Sequence, residues 1–74
     1  MAHALHLLKG DHADRAVAVI GPQIAAGDRV TVALLGGAAA PSLPAGVDVR
    51  RVPEDLSYDE LLELIFAADT VVTW

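Results

Sequence analysis

The side chains of this chain best suited to acid–base or metal chemistry are three histidines, His3, His6 and His12. An imidazole titrates near neutral pH and can ligate a metal through either ring nitrogen. His3 and His6 fall within the run Ala2-His3-Ala4-Leu5-His6-Leu7-Leu8. Strand side chains alternate between faces, so if this run is a strand the two histidines point to opposite sides and cannot chelate one ion. His6 and His12 could meet across the turn that follows, with Asp11 or Asp14 as the third protein ligand that metal sites usually need. The plainer expectation is hydrogen-bonded histidines in or beside the core. Glu54, Asp55 and Tyr58 gather at one point of the chain but have no visible partner to shift a pKa, so they read as loop and cap residues. The hydroxyls of Thr31, Ser42, Ser57, Thr70 and Thr73 have no base at a telling spacing. Gly36-Gly37 would let a backbone approach a phosphate, but Lys9-Gly10-Asp11 is neither a G-x-G-x-x-G turn nor a Walker A loop. Asp11 would repel an anion from a helix N-terminus there. The chain has no cysteine, which removes thiolate catalysis, persulfides, disulfides and thiolate metal sites.

The elements that must position these residues follow from periodicity and breakers. Residues 2–8 predict a first strand, ended by Lys9-Gly10. Asp11 stands at an N-cap position with Asp14 three residues on, in the manner of a capping box. Ala13, Val17, Ile20 and Ile24 then recur at helical spacing. Gly21-Pro22 predicts a kink or a restart of that helix with Pro22 at its first position, and Gly27 a C-terminal stop. Residues 29–35 predict the second strand. Residues 36–46, with three glycines, four alanines and two prolines, leave room for one helical turn at Ala38-Ala39-Ala40. Residues 47–52 alternate with period two, as a strand with one solvated face does, and Pro53 ends them. Ser57 and Glu60 form a capping box ahead of a helix whose apolar face is Leu61, Leu62, Leu64, Ile65 and Ala68. Thr70 to Trp74 is the fourth strand.

Strand, helix, strand, short crossover, strand, helix, strand predicts an α/β fold. We expect a small flavodoxin-like or Rossmann-like sheet of about four mainly parallel strands, helices on both faces and the first strand central. A hairpin making the second and third strands antiparallel is the alternative. The chain forms a single domain, residues 1–74, without repeat or linker. Trp74 then lies at the carboxyl edge of the sheet, where α/β proteins place their sites and where an aromatic can anchor a partner.

Composition bounds the partners. A chain of 74 residues buries only about 60–65% of the surface its unfolded form exposes. Yet 54% of its residues are hydrophobic, more than one small core can hide, which predicts self-association or a place in a complex. Charges interrupt every apolar stretch before the roughly 20 residues needed to span a bilayer. The first residues lack a basic n-region, which predicts a cytoplasmic protein. Lys9, Arg15, Arg29, Arg50 and Arg51 are scattered among ten acidic residues, so no basic stripe invites nucleic acid.

Four segments carry a resemblance. Met1-Ala2-His3-Ala4-Leu5-His6, Gly27-Asp28-Arg29-Val30-Thr31-Val32, Glu54-Asp55-Leu56 and Asp69-Thr70-Val71-Val72-Thr73-Trp74 resemble the DsrH/TusB branch of the DsrE/DsrF/DsrH (TusBCD) sulfur-relay family. The similarity extends over nearly the whole chain, with His3-x-x-His6 and the tryptophan ending its most distinctive parts. It implies a small DsrE-type α/β fold, a cytoplasmic setting and homo- or hetero-oligomers with DsrE/DsrF (TusD/TusC)-like proteins. Family complexes pass sulfane sulfur between cysteine persulfides for tRNA thiolation or sulfur oxidation. In the DsrE/TusD branch the acceptor cysteine lies in a loop at the carboxyl end of the sheet, DsrH proteins can carry one, and TusB proteins often lack it. Here the comparable loop reads Pro53-Glu54-Asp55-Leu56, so no catalytic residue transfers, and the 36–46 region is shorter than in members with a fuller helix.

The leading expectation is a non-catalytic, cofactor-free TusB/DsrH-like subunit that scaffolds persulfide transfer by cysteine-bearing partners. Its candidate interface is Trp74, His6, Leu56, Tyr58 and Phe66. Two rival readings stand beside it. One is a small-ligand or nucleotide-binding module, homo-oligomeric, working at Gly10, Gly36, Gly37 and Trp74. The other is an enzyme using His6 or His12 as base or ligand.

Overall fold

A computed structural model describes residues 2–9, 13–36 and 42–74. The expected cap at Asp11, the position of His12 and the turn at Ala38-Ala39-Ala40 lie outside these residues. Six elements follow one another: β1 (His3–Leu8), α1 (Ala13–Ala25), β2 (Arg29–Leu34), β3 (Asp48–Arg51), α2 (Tyr58–Ala67) and β4 (Thr70–Thr73). The strands form one parallel sheet in the order β3-β2-β1-β4. The antiparallel alternative for β2 and β3 is thereby overturned. Thr31 pairs with Asp48 and Leu34 with Arg51 in the same direction.

Burial explains the strand order. β1 and β2 read as near-continuous apolar runs and are buried along almost their whole length, as inner strands of a parallel sheet must be. β3 and β4 are short and mostly exposed, which suits edges. The chain steps outward from β1 to β2 to β3, then returns across the sheet through α2 to place β4 beyond β1. With right-handed crossovers this reversal puts α1 and α2 on opposite faces. The cores agree: Leu8, Val30, Val32 and Leu34 pack with Ala16 and Ile20 of α1, whereas Leu5, Ala33, Val52 and Leu56 pack with Leu61 of α2.

Two helix ends are set by their sequence. Ser57 Oγ accepts from the Glu60 N–H while Glu60 Oε1 accepts from the Ser57 N–H, the reciprocal capping box expected for α2. At the end of α1, Gly27 adopts φ 85°. Its N–H donates to Ile24 O, and the Asp28 N–H donates to Gln23 O, which together make a Schellman motif.

The expected restart of the helix at Pro22 does not occur, since α1 runs from Ala13 to Ala25 with Pro22 inside it. Pro22 and Ala18 both lie on the exposed side, where water can serve the Ala18 carbonyl that Pro22 cannot bond. The ladder resumes at once, with the Ala26 N–H donating to Pro22 O. The buried stripe also differs from expectation. Ala16 and Ile20 are fully buried and Val17 only half so, because the helix is turned to bring Gln23 over the sheet.

Candidate functional site

The reversal between β1 and β4 creates the crevice where parallel α/β sheets usually hold ligands. In this chain His6 of β1 and Trp74, the residue after β4, meet there. His6 projects from β1 toward α1 and has no exposed surface. Trp74 follows β4, its backbone N–H donating to Leu7 O, and its ring packs on the α1-side core. Trp74 Nε1 lies 2.9 Å from His6 Nδ1, and His6 Nε2 lies 2.8 Å from Gln23 Oε1 of α1. The two rings are near parallel at 12° with centroids 6.1 Å apart, a separation that leaves little face overlap, so the hydrogen bond is what joins them.

The bond pattern sets the tautomer. An indole N–H can only donate, so His6 Nδ1 is the unprotonated acceptor. The proton therefore sits on Nε2, which donates to the Gln23 carbonyl oxygen. Both ring nitrogens are engaged and no lone pair remains for a metal or a substrate proton. His6 acts as a linker holding Trp74 to α1 on one face of the sheet.

His3 points to the other face, as the alternation of β1 requires. Its Nε2 lies 2.9 Å from Thr31 Oγ1. Its backbone is clamped to Asp69: the His3 N–H donates to Asp69 Oδ2, and the Asp69 N–H donates to His3 O, both at 2.8 Å. Metal chelation by His3 and His6 together is excluded by their opposite faces. No cluster of three potential ligands occurs among the described residues.

On the α2 face an open groove of about 420 Å³ runs between α2 and the first residues of β1, β2 and β3. His3, Arg29, Thr31, Asp48 and Arg50 form its floor and outer wall, with Glu60, Glu63 and Ala67 opposite. It lies at the amino edge of the sheet, the reverse of where ligand crevices are usual. The Arg50 guanidinium is held charged, its pKa raised by the hydrogen bond from Nε to Asp48 Oδ1 at 3.0 Å and by the attraction of that carboxylate. The Glu60 carboxyl is lowered below its ordinary value by the hydrogen bonds it makes with Ser57, the backbone one foremost. The groove thus carries paired, opposite charges.

The far side of α2 differs. Tyr58, Leu62 and Phe66 recur every four residues and are 64%, 51% and 85% exposed. Glu60, Leu64 and Ala67 face the groove beside β2 and β3. At about 100° per residue, Tyr58, Leu62 and Phe66 lie on the opposite flank, toward β4. Val71 of β4, itself 38% exposed and paired in register with Leu5, lies on the same face of the sheet.

Of the five residues expected to meet a partner, Tyr58 and Phe66 are at the surface. His6 and Leu56 are not, which corrects that expectation: His6 is enclosed between Trp74 and Gln23, and Leu56 closes the α2-side core. Trp74 is half-buried, and the one polar atom of its side chain is bound to His6. Of the residues proposed to bind a ligand there, Gly10 and Gly37 fall outside the described residues, and Gly36 is exposed with φ 61°. The sequence reading missed Gln23, Asp69, Leu62 and Val71. A signal existed for Leu62: with Leu61 and Ala68 facing the sheet, a residue one position after Leu61 is turned about 100° away. No protein family, no curated protein and no solved structure matches this chain.

Proposed function

We propose that this chain is a non-catalytic subunit that docks into a multiprotein assembly through the α2–β4 flank. One observation carries the reading: Phe66, a large aromatic, is left 85% exposed in line with Leu62 and Tyr58. A domain of this size gains stability from each apolar side chain it can bury. Three apolar side chains in one row on α2, with Val71 exposed on the same face of the sheet, mark an interaction site rather than scattered exposure. The two histidines among the described residues are meanwhile committed elsewhere, His6 to Trp74 and Gln23, His3 to Thr31.

The assembly we propose is a sulfur relay of the DsrE/DsrF/DsrH type, in a cytoplasmic setting, with partners that supply the cysteines this chain lacks. Support comes from what the resembling segments do. His3 and Asp69 clamp β1 to β4, His6 and Trp74 join across the sheet, Gly27 ends α1, and Asp55 Oδ2 accepts from the Arg51 N–H to close the turn after β3. Every segment of the resemblance is thus tied to holding the fold, which is the part a scaffold would retain after losing its thiol. The test is co-expression with cysteine-bearing DsrE- and DsrF-like proteins from the same genome, followed by mass measurement of the purified species. A complex of defined stoichiometry that accelerates persulfide transfer by its partners supports the proposal. A monomer at high concentration that joins none of them removes it.

A second reading, small-ligand binding, has one observation in its favour, the groove between Arg29, Arg50 and Glu63. Amide chemical-shift changes at His3, Thr31 and Glu63 on adding nucleotides or sulfur metabolites would favour it. Trp74 fluorescence would not report on this groove, since the indole lies on the other face of the sheet.

A further inference from the structure

We infer that the occupant of the α2–β4 flank is a protein surface with an apolar centre rimmed by lysine or arginine, and not a second copy of this chain. The inference rests on the docking reading above and is independent of sulfur chemistry.

The argument is one of charge. From Val52 to Trp74 the chain holds Glu54, Asp55, Asp59, Glu60, Glu63 and Asp69 and no basic residue. That stretch contains the whole of α2 and β4. Three of these carboxylates accept from backbone N–H groups, Asp55 from Arg51, Glu60 from Ser57 and Asp69 from His3, and a neutral donor leaves their charge in place. On the helical wheel Asp59 falls beside Phe66, and Glu63 next to Asp59, so the apolar row is bordered by carboxylates along its solvent side. The row itself spans about 12 Å from Tyr58 to Phe66, at 1.5 Å rise per residue.

A two-fold dimer through this row is isologous and would set the Asp59 and Glu63 rim of one copy against the same rim of the other. Like charges facing across an interface oppose association strongly, whereas opposite potentials steer it and fix its register. An anionic membrane and a nucleic acid are repelled for the same reason. A cationic amphipathic segment satisfies both halves of the surface, its apolar side on Leu62 and Phe66 and its basic flank on Asp59 and Glu63.

The test uses the intact chain and two synthetic amphipathic helical peptides of equal length and identical apolar face, one with a Lys/Arg polar face and the other with Glu/Asp. The cationic peptide should bind and move the amide resonances of α2 and β4, and the acidic one should not. Phe66→Asp makes the site decisive. It adds negative charge to an exposed position, so an unspecific electrostatic encounter would tighten, while a docked peptide should weaken about tenfold or more. Glu63→Lys should weaken the cationic peptide and admit the acidic one. Equal binding of both peptides, resonance changes away from α2 and β4, or tighter binding to F66D each overturn the inference. So does a dimer of the unmodified chain that dissociates on the Phe66→Asp change. The outcomes separate from those of the sulfur-relay reading. Cationic docking without assembly with DsrE-like proteins sinks only the relay, whereas a relay complex indifferent to F66D sinks only this inference.

Discussion

The two faces of this sheet are built from the same strands and finished in opposite ways. Beneath α1 the sheet carries a histidine with no exposed surface, and the polar groups around it are used up by one another. Above it α2 covers the sheet unevenly, with a charged groove on one flank and an uncovered apolar row on the other. On neither face is the cover complete. The α1 face is shared by α1 and the segment that brings Leu43 and Val47 onto it, and the α2 face by the ten-residue α2 and the turn that carries Val52 and Leu56. A helix about 10 Å across cannot cover four strands spaced about 4.8 Å apart, so something is left open on both sides of it. Polarity buried beneath α1 therefore reads as architecture, and apolar surface left bare on α2 reads as function.

The sharpest way to break this contrast is His6→Ala. It removes a fully buried ring and strands the Trp74 donor and the Gln23 acceptor, and should lower stability by about 2–4 kcal/mol. In a domain this short that is a fall of at least about 10 °C in Tm, read by thermal unfolding, with a red shift in Trp74 emission as the indole loses its anchor. Combining it with Trp74→Phe should cost less than the sum of the two single changes, since each already breaks the same bond. Additive losses would show that the network is decoration and that the two faces are held by apolar packing alone.

How far that network could have been anticipated differs from bond to bond. The strands, the helices, the Ser57–Glu60 cap and the opposite faces of His3 and His6 all follow from short-range periodicity, because burial and backbone geometry impose it locally. The His6–Trp74 bond joins residues 68 apart and the His6–Gln23 bond residues 17 apart. Both depend on strand order and on the rotation of α1, and neither is a local property. The restart expected at Pro22 fails for a related reason. A proline breaks a helix only where the lost hydrogen bond has no substitute, and whether Ala18 faces water is decided by the tertiary fold. Leu62 looked like core because it is a leucine in an apolar helix, and only the placement of Leu61 and Leu64 against the sheet leaves it outside.

The cap of α2 gives a smaller effect on the other face. Ser57→Ala should cost about 1 kcal/mol, within the usual range for an N-cap, measured by chemical denaturation. Its partner supplies a pH dependence. The Glu60 carboxyl is lowered in the folded state by its hydrogen bonds with Ser57, so its contribution is complete above the ordinary carboxylate value. That contribution is lost as pH falls through the lowered, folded value. Glu60→Gln should therefore flatten the acid limb of the stability curve by lowering stability slightly near neutral pH, where the charge contributes, and leaving it little changed at low pH. An unaltered limb would mean that the charge of Glu60 is idle.

The smallest effect is the one that most sharpens the contrast. Phe66→Ala removes the largest side chain on the α2 flank, yet should change stability by no more than about 0.5 kcal/mol, because the ring is 85% exposed and little of it leaves water on folding. Leu62→Ala should cost somewhat more, since half of that side chain is covered. Set beside His6→Ala, the pair separates two kinds of aromatic or apolar position: one whose loss is felt by the fold and one whose loss is felt by a partner. If Phe66→Ala destabilised the isolated chain by 2 kcal/mol or more, a core-like cost, the row would belong to the core of this domain. The assignment of the α2 flank to docking would then lose its basis, whatever bound there.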